Sequence, residues 1–299
     1  MNVTLRDVTY PPFSSSCALA VASSAANICI IISTLYVKQD VFSFLASRFI
    51  LASLLMFMYR PTALRGLSKK FVLRGILAGT LLGSGYIFQT FGLTNTTVSN
   101  TGFITGLYLV FTPLISLIVL RRHVIRIQWL AVLLAFIGLF LISYNGVSLG
   151  RGETLVLISA ILYGAHFVAL GEWSDGGNTY ALTLIQIATL GVMASLFTIK
   201  DGFQLPPDSS VWLAVLFTAF FATFLAFLVQ TKAQSVMSAT AASVLLATET
   251  PFAVIFGLYF NSDPLTLKII SGGILVMGAM ALVIWSDARK KDVRAFHHD

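Results

Sequence analysis

Charge is scarce in this chain. Only 10% of its 299 residues are Asp, Glu, Lys or Arg, against about a quarter in a soluble domain. Cysteine is scarcer still. Cys17 and Cys29 both lie in the first apolar run, where a helix separates them by about 18 Å, too far for a disulfide. They read as packing residues. The four histidines, His123, His166, His297 and His298, are too scattered to assemble a metal site. The sequence holds no HExxH, no GxSxG, no phosphate-cradling glycine loop and no aspartate dyad. These absences argue against an enzyme, a nucleotide-driven pump and a bound cofactor or metal. Secretory signal features are also missing: Arg6 is balanced by Asp7, and no small-residue cleavage site precedes the next run.

Apolar residues dominate instead. They make up 57% of the chain, and the mean hydropathy is +0.88. A water-soluble fold of this size cannot hide that much apolar surface. The runs reach the roughly 20 residues that a helix needs to span hydrocarbon. They do not alternate polar and apolar, which excludes a β-barrel. Helices remain, because they satisfy their own backbone groups in lipid. Spans are expected at residues 15–35, 41–59, 72–91, 101–120, 126–144, 153–172, 180–199, 211–230, 240–260 and 266–285. The fold class is thus an all-α integral membrane protein of ten transmembrane helices. The breaks are short, so any functional machinery must lie within the membrane.

The net charge of +7 does not point to nucleic acid, because the basic residues flank spans rather than form one patch. With the N-terminus inside, fourteen Lys and Arg fall in inside segments: Arg6, Arg60, Arg65, Lys69, Lys70, Arg74, Arg121, Arg122, Arg126, Lys232, Arg289, Lys290, Lys291 and Arg294. Only Lys38, Arg151, Lys200 and Lys268 fall outside. Positive loops stay cytoplasmic, so both termini are expected there, in an inner (plasma) membrane. The loop at residues 172–179 has no basic residue and is the weak point.

Two segments follow one plan. Val98 to Pro113 reads VSNTGFITGLYLVFTP, and Val236 to Pro251 reads VMSATAASVLLATETP. A repeat in so apolar a chain indicates duplicated architecture. Residues 1–144 would form one five-helix repeat and residues 145–299 a second with a short basic tail. Five is odd, so the copies must be inverted. Inverted repeats enclose a midplane cavity in many secondary transporters.

Polar residues in spans mark the faces turned to protein or water. Thr101, Thr105, Tyr108 and Thr112 form one stripe of the fourth span; Ser243 and Thr250 lie on one stripe of the ninth. Ser159, Tyr163 and His166 share a face of the sixth, and Ser23 and Asn27 a face of the first, with Asn27 and His166 equivalent in the repeat. Tyr86, Gln89 and Thr90 end the third span, and Gln230 and Thr231 the eighth. The expected substrate-binding residues are Asn27, Tyr86, Gln89, Thr101, Thr105, Tyr108, Tyr163, His166, Gln230 and Ser243. Hydroxyls in spans also bond back onto their own helix, and tyrosines at span ends, such as Tyr59, Tyr144 and Tyr259, anchor at the interface. Arg48 and Glu249 are formal charges inside spans, and Pro113 and Pro251 are expected kinks. These four are the candidates for coupling or gating. Arg48 can also snorkel to water. The steps Gly75, Gly79, Gly83 and Gly102, Gly106 are close-packing faces.

These residues carry a family resemblance. The stretch from Gly75 through Thr112-Pro113, the basic turn, Trp129 and Gly138 resembles the EamA branch of the drug/metabolite transporter superfamily. Arg48-Phe49 with Ala52 is similar to that family's second span, and Gly152-Glu153-Thr154-Leu155 with Leu162-Tyr163-Gly164 to the start of its second half. The chain departs from the family pattern at Ala26-Asn27, Arg121-Arg122, Glu249-Thr250-Pro251 and Asn261-Ser262-Asp263. Among named groups it looks most like YddG-type exporters of aromatic amino acids and methyl viologen. The resemblance implies a secondary transporter, an exporter or facilitator of small organic metabolites working by alternating access. Its cargo would include amino acids and flat organic cations. The alternatives are a passive pore, or a carrier of another branch such as the sugar-nucleotide or nucleoside type. The expected partners are a small-molecule substrate and the bilayer, with no nucleic acid or nucleotide, and the expected state is a monomer.

Overall fold

The computed structural model describes residues 40–96, 98–143, 150–174, 178–200, 202–247 and 266–295. Among them every regular element is a helix. In chain order these are α1 Val41–Tyr59, α2 Lys69–Leu93, α3 Val98–Gly106, α4 Tyr108–Val119, α5 Arg126–Ser143, α6 Arg151–Trp173, α7 Thr179–Phe197 and α8 Ser209–Phe217. A π-helical segment, Thr218–Leu225, leads into α9 Ala226–Gln234, followed by α10 Ala239–Leu246 and α11 Leu267–Ala295. Among the described residues seven stretches are long and apolar enough to cross a membrane, and Arg126–Leu141 is a shorter apolar helix. The expected first span, with Cys17, Cys29 and Asn27, lies outside the described residues. So does the ninth span beyond Ala247, including Glu249, Pro251 and Tyr259, and so does Tyr144.

Local chemistry sets the helix starts. Asp40, Ser68, Asn178, Asp208 and Ser238 each accept a backbone N–H from the first turn of the helix they precede, satisfying one of the donors that a helix N-terminus leaves open. The fourth span is two helices. α3 ends at Gly106, and Leu107 donates to Ile104 at 3.1 Å in a tighter turn before α4 begins. Pro113 follows inside α4, where it cannot donate to the preceding turn. The break leaves Tyr108 as the first residue of α4.

Packing centres on α2. A Cβ added to Gly79 would lie 2.6 Å from the Gln186 carbonyl oxygen, so α2 and α7 touch backbone to backbone. Gly75 and Gly83, one turn to either side, meet Ile185 and Met193. The other face of α2 rests on α6, where Gly85 leaves room for the Tyr163 ring, 2.5 Å from an added Cβ. Close approach through small residues replaces the hydrophobic effect as the source of helix association in lipid. Of the second glycine step, Gly106 is pressed onto Leu139, while Gly102 meets nothing among the described residues. α5 and α11 pack at the edge, with Gly138 against the Gly272 carbonyl.

One end of the bundle carries Arg60, Arg65, Lys69 and Lys70 together with Arg121 and Arg122. At this basic end Arg122 pairs with Glu172 at 3.0 Å, and the Tyr180 hydroxyl donates to the Met56 carbonyl at 2.7 Å. At the opposite end the Glu153 carboxylate accepts from the Gly150 N–H at 3.2 Å and from the Thr96 hydroxyl. The turn after α2 is thereby tied to the start of α6.

Candidate functional site

The polar groups of three helices meet in the half of α2 away from the basic end. Gln89 donates through Nε2 to Thr105 Oγ1 at 2.9 Å, and Tyr163 donates its hydroxyl to Gln89 Oε1 at 2.9 Å. One amide therefore joins α3, α2 and α6, and with them the two segments predicted to be repeats. Tyr86 stands edge-on to Tyr163, ring centroids 5.8 Å apart, and edge-on to Phe49 at 5.4 Å. Tyr108, the first residue after the break in the fourth span, stacks on Phe167 at 5.2 Å. Tyr108 is half-buried and packs against three separate apolar clusters, which puts it at their common junction.

The predicted site residues thus divide. Tyr86, Gln89, Thr105 and Tyr163 are brought together, with Tyr108 one step away. His166 lies a turn further along α6 and points to α2 as well, its Nδ1 3.1 Å from the Ala78 carbonyl oxygen. Thr101 and Gln230 are buried. Other hydroxyls of the stripes bond back onto their own helices: Ser243 to Thr240, Thr112 to Tyr108, Ser159 to Val156 and Thr90 to Tyr86. Such bonds hold the side chain against its own backbone.

Arg48 does not snorkel. It is 3% exposed, donates through Nε to Thr223 Oγ1 at 2.7 Å and through Nη2 to the Ala222 carbonyl at 3.3 Å. Both partners lie in the π-helical segment, whose wider turn shifts carbonyls off the usual ladder. The guanidinium, also 5.0 Å from the Phe49 ring, therefore ties α1 to the eighth span. Phe217, Phe220, Phe221 and Phe224 surround the same segment with linked rings.

Several functional groups had little or no signal in the sequence reading. Gln186, inside an apolar run, and Gln234, at the end of α9, are amides that are both fully enclosed. Gln186 lies inside the expected seventh span but was not singled out, and Gln234 falls beyond the expected end of the eighth. Glu153 stood out by its place in a motif, but not as a tie to Thr96.

A sequence model of the EamA-like transporter family matches residues 13–144 and 150–285. An uncharacterized transporter of Archaeoglobus fulgidus is 34% identical over 200 residues, covering 67% of this chain and 64% of that protein. The match thus spans a little under two thirds of the archaeal relative. The uncharacterized transporter YyaM of Bacillus subtilis (strain 168) is 24% identical over 222 residues, covering 71% of this chain and 67% of that protein. One crystal structure superposes with a TM-score of 0.77 at 14% identity, covering 93% of this chain and 98% of the other, a likeness of fold.

Proposed function

The chain belongs to the EamA-like transporter family, and we propose that it carries small organic molecules across a membrane by alternating access. The observation that carries this reading is the Thr105–Gln89–Tyr163 chain of hydrogen bonds. It joins helices of both predicted repeats beside a broken span, and all three polar side chains come from otherwise apolar helices. A polar group at this depth is costly unless it has work to do. Tyr86 and Tyr108 supply ring faces next to it, so the cargo is small and at least partly aromatic, bound by stacking and by hydrogen bonds to the amide and hydroxyls. Aromatic amino acids and related amines fit this lining. The two halves, inverted to one another with both termini on the basic side, would rock about the site.

The test is flux into proteoliposomes holding the full chain, with radiolabelled phenylalanine and tyramine as probes. Saturable uptake and counterflow are expected. Gln89→Leu should reduce both, while the protein still inserts and elutes as a single species. Non-saturable flux would favour a pore, and undiminished counterflow in Gln89→Leu would remove the amide from the pathway.

A further inference from the structure

A second set of polar groups lies between the middle of the bundle and its basic end. His166, Gln186 and Gln234 are 1%, 0% and 1% exposed. Each has one polar atom held and one unmet, and chemistry decides which is which. The His166 Nδ1 faces the Ala78 carbonyl oxygen at 3.1 Å. A carbonyl only accepts, so Nδ1 carries the hydrogen, and the neutral ring presents Nε2 as an acceptor. Gln186 donates through Nε2 to Thr231 Oγ1 at 3.0 Å. The Thr231 hydroxyl hydrogen already goes to the Phe227 carbonyl at 2.8 Å, so its oxygen can only accept and the amide cannot be turned over. Gln234 points Nε2 at the Phe167 carbonyl, 3.4 Å away, which fixes that amide in the same way. Besides the Ser174 hydroxyl near the end of α6, the atoms left over are His166 Nε2, Gln186 Oε1 and Gln234 Oε1, and none has a partner among the described residues. All three are acceptors.

They belong to one neighbourhood. Phe167 follows His166 in α6. Thr231 and Gln234 are three residues apart, on one face of α9. Gly79, next to Ala78, is the point where α2 touches the backbone of Gln186. Buried acceptors without donors are costly, and three on neighbouring helices leave this region short of donors. The carboxylates described outside α11 are engaged elsewhere. Asp40 and Asp208 cap helices, Glu153 holds the turn after α2, and Glu172 pairs with Arg122.

We infer that this region is a binding station for the primary ammonium head of a substrate. Such a head brings three N–H donors to three neutral acceptors. A carboxylate or phosphate would add acceptors to acceptors, and a quaternary cation has no N–H to give. Tyr108 stacked on Phe167 places a ring face beside the station, so an amine with an aromatic body matches both. The inference rests on the transport reading for its route, but not for its chemistry.

The experiment compares 2-phenylethylammonium with its N,N,N-trimethyl analogue on the purified full chain, by ligand-dependent thermal shift in detergent and by competition for flux. Wild type should bind the primary amine at least roughly tenfold more tightly, the size of one good charge-assisted hydrogen bond. Gln186→Met and Gln234→Met should each remove most of that preference and leave the trimethyl analogue unchanged. Equal binding of the two compounds by wild type overturns the proposal without any variant. So does an undiminished preference in folded Met variants, or no shift by either compound. If the preference is absent while Gln89→Leu still abolishes counterflow, the station fails and the transport reading survives. If the preference is present but no flux is found, the reverse holds.

Discussion

The α2–α6–α7 interface and the α5–α11 pair are both built on glycine contacts, yet they carry different things. Gly79 brings α2 onto the Gln186 backbone, and Gly138 brings α5 onto Gly272 with similar closeness. Around Gly79 the neighbours are Gln186 and Thr189, His166 meets the adjacent Ala78 carbonyl, and about three turns along lie Gln89 and Tyr163. Around Gly138 they are Val276 and Leu275. Exposed apolar residues such as Leu130, Leu133 and Ile274 belong to the α5–α11 pair. Close approach alone therefore does not mark a site. It does so where the approaching backbones also bring polar side chains out of reach of water and lipid.

Four substitutions test this difference, the largest effect first. Gly79→Leu forces a side chain into the Gln186 backbone, and overpacking of this kind costs about 1–3 kcal/mol or more. The folded yield and the thermal midpoint in detergent should fall steeply, whereas Gly273→Leu, facing no described neighbour within 4 Å, should change neither. Arg48→Met removes the tie between α1 and the π-helical segment. With hydrogen bonds to a charged group worth roughly 1.5–3 kcal/mol, the midpoint should drop clearly, and a midpoint equal to wild type would deny Arg48 its structural role. Tyr163→Phe deletes one hydroxyl that bonds to Gln89, so flux should fall about three- to tenfold with stability nearly intact. A fall in stability without a fall in flux would move this residue from the pathway to the packing. Arg122→Ala should have the smallest effect. Its partner distance is 3.0 Å, but its side chain is 68% exposed, and pairs in solvent contribute about 0–1 kcal/mol. A large loss of flux there would show the basic end to be a gate.

Much of this organisation was legible from residues alone. The apolar run at 41–59 coincides with Val41–Tyr59, and that at 72–91 lies inside Lys69–Leu93, because length and hydropathy are local properties of a helix in lipid. The glycine step of the third span is a contact face, since spacing by four puts small residues on one side of a helix. Of the face shared by Ser159, Tyr163 and His166, the last two meet α2. What stayed hidden depends on partners distant in sequence. Whether a hydroxyl reaches across or folds back is invisible in a stripe: Thr105 meets Gln89, but Thr112 and Ser243 bond to their own helices. The π-helical segment left no mark in TAFFATFL, because apolar residues suit an α-helix as well. Arg48 looked able to reach water, and the Thr223 hydroxyl and Ala222 carbonyl hold it inside.

The chain's composition and the period of its apolar runs determined that it is a bundle of membrane-spanning helices, because a backbone in hydrocarbon has few other ways to satisfy its hydrogen bonds. Tertiary structure alone decided which polar atoms are satisfied and which wait for a partner. That depends on how three helices, far apart along the chain, are brought within a hydrogen bond of one another by the glycines between them.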